Sequence, residues 1–147
     1  AAAATGASML GFNYRRVPAL ALARQLVAEG RIGEIRAARA AYLQDWLVDP
    51  EAPMTWRLRA ETAGNGALGD LGSHVIDQIQ TITGQRAVGV RGMLRTFQRE
   101  RQGPDGLEPV TVDDATWAQL DLDGGAVASL EVSRVATGSK GVEKTSG

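Results

Sequence analysis

Apolar and polar positions recur along this chain in two periods, and the changes between them mark the elements. Ala19, Leu22, Ala23 and Leu26 fall at i, i+3, i+4 and i+7, the spacing of one buried helical stripe. Pro18 suits a first helical position, where its missing N–H would be unpaired anyway, and Gly30 stands where a C-terminal cap belongs. A helix of about twelve residues from Pro18 is therefore predicted. A second stripe, Leu68, Leu71, Val75, Ile79 and Ile82, predicts a helix over residues 66–83 that ends at Gly84. Residues 35–46 read as a strand, whose alternation sets Tyr42, Gln44 and Trp46 on one face.

Further strands are predicted over 87–98, 115–122 and 126–134, the last two joined by Asp123-Gly-Gly125, a favourable hairpin turn. Residues 8–12 are short and apolar and read as another strand. Residues 99–113 read as a polar loop. Residues 47–63 show no sustained period, yet they carry Trp56 and Arg57, which argues against plain disorder. The succession of elements predicts an α+β fold, a mostly antiparallel sheet with helices packed on one face.

Composition narrows the function classes. The 147 residues suit one domain. Sixteen basic residues interleave with seventeen acidic ones, for a net charge of −1, so nucleic acid is not an expected partner. There is no cysteine, which removes disulfides, thiol nucleophiles and thiolate metal sites and fits a reducing cytoplasm; no metal site is expected. No apolar run reaches the ~20 residues that span a bilayer, and the alanine-rich start lacks the basic flank of a signal peptide. Membrane partners are thus not expected either. Tyr42, Trp46 and Trp56 lie close together in sequence, as either a core or a ligand cleft would want.

The candidate chemistry centres on Gly64-Asn-Gly-Ala-Leu-Gly-Asp70-Leu-Gly-Ser-His74-Val-Ile-Asp77, which holds the chain's only histidine. On a helix, Asp70 and His74 are i, i+4 neighbours at the margin of the apolar stripe. A carboxylate beside an imidazole can move a proton near neutral pH. Asp77, at i+3 from His74, is a rival partner for the ring or simply a helix-surface or loop-bonding carboxylate. Gly64, Gly66 and Gly69 spell the dinucleotide fingerprint, but charged residues precede them and no acidic residue follows at the required distance. They are expected to act as a glycine-rich helix start whose free N–H groups could hold an anionic or hydroxylated ligand.

In order and spacing, Gly11-Phe-Asn-Tyr-Arg-Arg-Val-Pro18, Glu29-Gly-Arg-Ile-Gly-Glu-Ile35, Tyr42-Leu-Gln-Asp-Trp46, Trp56-Arg57, Gly66-Ala-Leu-Gly-Asp70-Leu-Gly-Ser-His74 and Ser133-Arg-Val-Ala-Thr-Gly138 resemble the C-terminal domain of the Gfo/Idh/MocA oxidoreductases. These include glucose–fructose oxidoreductase and inositol dehydrogenase. The resemblance implies a truncated version of the fold seen in the C-terminal domain of glyceraldehyde-3-phosphate dehydrogenase. Residues 1–12 would be a tail and a remnant of the last strand of a nucleotide-binding domain. Residues 13–147 would be the substrate and catalytic domain, incomplete at its C-terminal end.

It further implies a dehydrogenase of sugars or cyclic polyols that uses NAD or NADP, bound mainly by a domain this chain does not contain. His74 would exchange a proton with the substrate hydroxyl, and Asp70 would orient the ring, bind the sugar, or both. Gln44, Trp56 and Arg57 would touch substrate or nicotinamide, or merely pack. Asn13 and Arg15 would face the cofactor or anchor the domain junction. The family's Glu-Lys-Pro segment is missing too, and because the dinucleotide site is absent the chain alone is expected to be inactive. A homo-oligomer through the sheet face is implied. The alternative is a non-catalytic binding or oligomerisation module that uses the same face.

Overall fold

The computed structural model describes Gly6 and residues 9–139. In chain order it contains helix α1 (Pro18–Ala28), strand β1 (Ala37–Leu43), the single-turn helix α2 (Ala60–Ala63), helix α3 (Ser73–Thr83) and strands β2 (Ala87–Arg95), β3 (Glu100–Gly103), β4 (Gly106–Pro109), β5 (Ala115–Leu122) and β6 (Val127–Ser133). Four strands form one sheet in the order β1-β6-β5-β2, and β3 and β4 form a separate hairpin. β5 lies antiparallel to both its neighbours, whereas β1 runs parallel to β6, with Ala37 opposite Val127 and Leu43 opposite Ser133. The fold is α+β, with an antiparallel majority and one parallel edge.

Alternation along the strands sorts the sheet into two faces. Leu120, Leu122, Ala128, Leu130 and Val132 are buried on one face, beside Ala38, Ala40 and Tyr42 of β1. Val75 and Ile79 of α3, with Leu71 and Ala67 just before it, close that core from above. Helix α1 lies on the outer side of α3, in contact with α3 rather than with the sheet. Its contact strip is therefore narrow, and its orientation differs from the predicted one. Leu20, Ala23, Leu26 and Val27 turn inward, while Ala19 is exposed and Leu22 keeps 54% of its surface exposed.

A second, smaller core of Leu47, Met54, Leu58, Val110 and Val112 lies beneath the irregular segment 47–63. Buried Arg101 fastens that segment through main-chain carbonyls, donating to Leu47 at 2.7 Å, Asp49 at 2.8 Å and Ala52 at 3.0 Å. A guanidinium with fixed, planar donors can satisfy three carbonyls that no strand reaches.

Several predicted elements differ from the structure; the strand expected over 35–46 is confined to Ala37–Leu43. The stretch read as a polar loop contains the β3–β4 hairpin, turned at Gly103-Pro-Asp-Gly106. Its strands are four residues long and rich in charge, too short for a period to show. β2 stops at Arg95 because the amides of Phe97 and Gln98 turn aside to buried Asp114 Oδ2, at 2.7 and 3.1 Å. Residues 9–12 are not a strand, since no neighbouring strand offers them a ladder; Ser8 lies outside the described residues.

Fully buried Leu58 should reveal whether the small core matters. Leu58→Ala is expected to lower stability in urea unfolding by about 2–4 kcal/mol, whereas Leu22→Ala should stay within about 0.5 kcal/mol of the parent.

Candidate active site

The second predicted helix begins with a wide turn. Leu68–Gly72 follow π-helical bonding and pass directly into α3. Such insertions recur at functional sites. The start of this turn is capped by a residue distant in sequence. Buried Asp113 accepts Gly66 N–H at Oδ1 (3.0 Å) and Leu68 N–H at Oδ2 (2.8 Å), and its carbonyl accepts Ala67 N–H (2.9 Å). The Thr116 hydroxyl also donates to Oδ2, at 2.8 Å. A carboxylate here meets both the orphan amides and the positive end of the helix dipole.

Two of the glycines have structural causes, one of them this cap. A Cβ on Gly66 would lie 2.0 Å from the Asp113 carbonyl oxygen, so only glycine admits the approach. Gly64, at φ +76°, ends α2 in a conformation that favours glycine. Neither serves a phosphate. Of the amides expected to hold an anionic or hydroxylated ligand, that of Gly64 is bonded to the Ala60 carbonyl and those of Gly66, Ala67 and Leu68 to Asp113, which corrects that expectation for them.

Beyond the cap, Asp70, Leu71 and His74 form one wall of a cleft of about 270 Å³. Tyr42 of β1, with Gln44 and Trp46 just after it, forms the second wall, and Arg57 stands at the rim. The structure thus brings Gln44, Arg57, Asp70 and His74 together from three separate segments. The remaining candidates do not line the cleft. Trp56 is exposed, with the Arg57 guanidinium 4.9 Å from its ring centre. Arg15 pairs with buried Asp77 through Nε (2.9 Å to Oδ2) and Nη2, and these bonds raise its pKa above the ordinary arginine value. Asp77 is therefore a structural anchor rather than a partner of the ring. Asn13 is exposed on the adjoining turn.

His74 is half-buried and held by aromatic edges, Phe12 at 5.8 Å and Tyr14 at 5.2 Å between ring centres. Tyr14 in turn hydrogen-bonds Tyr42 hydroxyl to hydroxyl, at 2.9 Å. His74 Nδ1 is buried without a hydrogen-bond partner among the described residues, which leaves Nε2 as the nitrogen available to the cleft. Asp70 is exposed and makes no hydrogen bond to the ring among the described residues, so the two groups share a cleft rather than a bond.

The opposite wall is anchored differently. Trp46 donates its indole N–H to Gln44 Oε1 at 2.8 Å, and the Arg134 guanidinium sits 5.6 Å from the Trp46 ring centre. Arg134 is almost fully buried and donates to the Asp113 carbonyl at 2.7 Å and, at the long distance of 3.5 Å, to the Arg57 carbonyl. Burial pushes its pKa down; the carboxylates of Asp114, Asp113 and Asp70 oppose that, and the guanidinium of Arg101 adds to it. Arginine nonetheless stays charged. Sequence reasoning gave no role to Phe12, Tyr14, Asp113 or Arg134; the advance signal was the place of Phe12, Tyr14 and Arg134 in family-like motifs, and Asp113 had none. The assembled cleft offers hydroxyl-binding groups beside an imidazole, equipment for proton transfer.

A family model described as the GFO/IDH/MocA C-terminal domain matches residues 20–145. The chain belongs to the GFO/IDH/MocA family. Among its GFO/IDH/MocA relatives is levoglucosan dehydrogenase of Pseudarthrobacter phenanthrenivorans, 41% identical over 88% of this chain and 37% of that protein. Glucose-fructose oxidoreductase domain-containing protein 2 of Bos taurus is 32% identical over 84% of this chain and 31% of that protein. An oxidoreductase domain protein from Kribbella flavida superposes with a TM-score of 0.87 at 53% identity, covering 90% of this chain and 37% of that one. A levoglucosan dehydrogenase solved with NADH and L-sorbose gives 0.85 at 43% identity, covering 90% and 35%. The chain thus spans about a third of the length of these relatives.

The cap is open to a direct test. Gly66→Ala should lower stability by about 1–3 kcal/mol through overpacking against main chain, and Asp113→Asn by about 1–2 kcal/mol through loss of one amide partner. Urea unfolding monitored by circular dichroism measures both.

Proposed function

We propose that this cleft is the substrate site of an NAD(P)-dependent oxidoreductase acting on a CH–OH group of a sugar or cyclic polyol. One observation carries the reading: Asp70 and His74, in the spacing of the family's Asp-x-x-x-His pair, line the same cleft as Gln44, Trp46 and Arg57. Solved levoglucosan dehydrogenases hold NADH with L-sorbose or with levoglucosan, which supports a sugar and an NAD-type cofactor for this chain.

His74 Nε2 accepts the proton of the substrate hydroxyl during oxidation and returns it during reduction. Asp70 receives a neighbouring hydroxyl as a hydrogen-bond acceptor, and its negative charge balances the charge the imidazole gains. Gln44 and Arg57 supply donors for further hydroxyls, and Trp46 and Leu71 present apolar surface to the C–H face. The nicotinamide, when bound, supplies the hydride acceptor or donor. The donor set fits that group: a proton-exchanging ring stands beside hydroxyl-binding side chains, with exposed Asn13 on the turn next to it. Arg15, committed to Asp77, holds that turn in place. The greater part of the relatives' length, which this chain does not cover, is the proposed holder of the dinucleotide.

The sheet face away from α3 suggests a second copy as partner. Met93 and Trp117 lie there among Arg39, Arg91 and Glu131, a mixed-charge apolar surface that can complement itself about a two-fold axis. This association is compatible with the catalytic reading.

In the full-length polypeptide, His74→Ala is expected to lower kcat by about 10²–10⁴ while NADH affinity, measured by fluorescence titration, stays unchanged. Undiminished turnover would refute the assignment. The present chain alone should turn over no sugar. For the sheet face, Met93→Asp should reduce the sedimenting mass of the assembly, and a mass identical to the parent's would rule the interface out.

A further inference from the structure

Arg134 belongs to a motif that the proposed chemistry leaves without a task, and its position is unusual. A guanidinium 1% exposed makes no salt bridge within 4 Å among the described residues and bonds only to main-chain carbonyls. Those carbonyls and its ring contact belong to different parts of the cleft. The Asp113 carbonyl is the same atom that accepts Ala67 N–H at the start of the Asp70–His74 segment. Arg57 stands at the rim, and Trp46 forms the opposite wall. Leu47 N–H also donates to the Arg134 carbonyl at 3.0 Å, so the main chain of this residue holds the loop that follows Trp46.

We propose that Arg134 is a positioning residue that fixes Trp46 and Arg57 at a set distance from the capped helix bearing Asp70 and His74, and so sets the width of the sugar cleft. The inference rests on the reading of that cleft as the substrate site. Arg134 itself, being buried, does not touch substrate. Its planar guanidinium serves three directions at once: one edge toward the Asp113 carbonyl, a second N–H toward Arg57, and its face toward the indole. An ammonium carries the same charge but has neither the plane nor the fork. Charge alone therefore does not account for the residue. Trp46, with its only polar atom held by Gln44, is left as a flat apolar wall whose placement depends on what stands behind it.

Arg134→Lys separates geometry from charge. In this chain, the indole N–H resonances of Trp46, Trp56 and Trp117 are recorded by ¹⁵N correlation spectroscopy. The substitution is expected to shift Trp46 and to leave Trp117, on the far face of the sheet, in place. In the full-length polypeptide it should lower kcat/KM for the sugar by about tenfold, chiefly through KM, with NADH affinity unchanged. Trp46→Leu, at a 42% exposed position that tolerates change, should cause a comparable loss, and the double variant should fall short of the product of the two.

Wild-type kinetics for Arg134→Lys would overturn the proposal, as would multiplicative losses in the double variant. So would movement of all three indole signals together, which would mark a general structural role. Should Arg134→Lys fail to fold, Trp46→Leu with an unchanged sugar KM overturns it. If His74→Ala keeps its turnover while Arg134→Lys still raises the sugar KM, the catalytic reading falls and the positioning role stands.

Discussion

One side chain, Asp113, decides where the working helix begins. Three consecutive main-chain amides, those of Gly66, Ala67 and Leu68, terminate on its carboxylate and carbonyl. Left unpaired in a buried setting, such amides would cost on the order of 1–3 kcal/mol each. The helix therefore has one favourable height above the sheet. Asp113 precedes β5 by two residues, so that height is referred to the most central part of the fold. Gly66 is needed because the cap approaches so closely, and the π turn follows directly from it. Asp70 and His74 reach their cleft as a result of this one contact.

The other wall is held by a different kind of bond. Segment 47–63 has no strand ladder of its own; local turns bond several of its carbonyls, and Arg101 and Arg134 reach those of Leu47, Asp49, Ala52 and Arg57. Both are buried, and both give Nη donors to main-chain oxygens, while Nε of each has no partner among the described residues. Desolvating a guanidinium is costly unless its donors are satisfied. The carboxylates of Asp113 and Asp114 lower that cost for Arg134 by proximity. An irregular segment thus becomes as fixed as a strand, and Gln44, Trp46 and Arg57 inherit that fixity.

What could be read from residues alone follows the range of each interaction. The periodic stripe of Val75 and Ile79, the Gly84 cap and the β5–β6 hairpin are local, and β5 appears over the residues expected. The Asp70–His74 spacing is local too, so both residues could be named together. Non-local features were not legible. The cap joins residues 47 apart, the Arg134 contact to Arg57 joins residues 77 apart, and neither leaves a period. The apolar run 8–12 reads as a strand ending at Phe12, and nothing local places Phe12 or Tyr14 against the ring of His74. Nothing local announces Asp77 as the partner of Arg15, for which the resemblance implies the cofactor or the domain junction.

The way Arg101 holds its loop has a bearing on how the site diversifies. It grips Leu47, Asp49 and Ala52 by their carbonyl oxygens, atoms that every amino acid carries. Exposed side chains such as those of Val48, Asp49 and Glu51 can thus be exchanged without breaking any of these three bonds. Natural variation beside the cleft can alter its chemistry while the backbone course stays the same, so descendants of this scaffold can acquire new preferences without first surrendering their architecture.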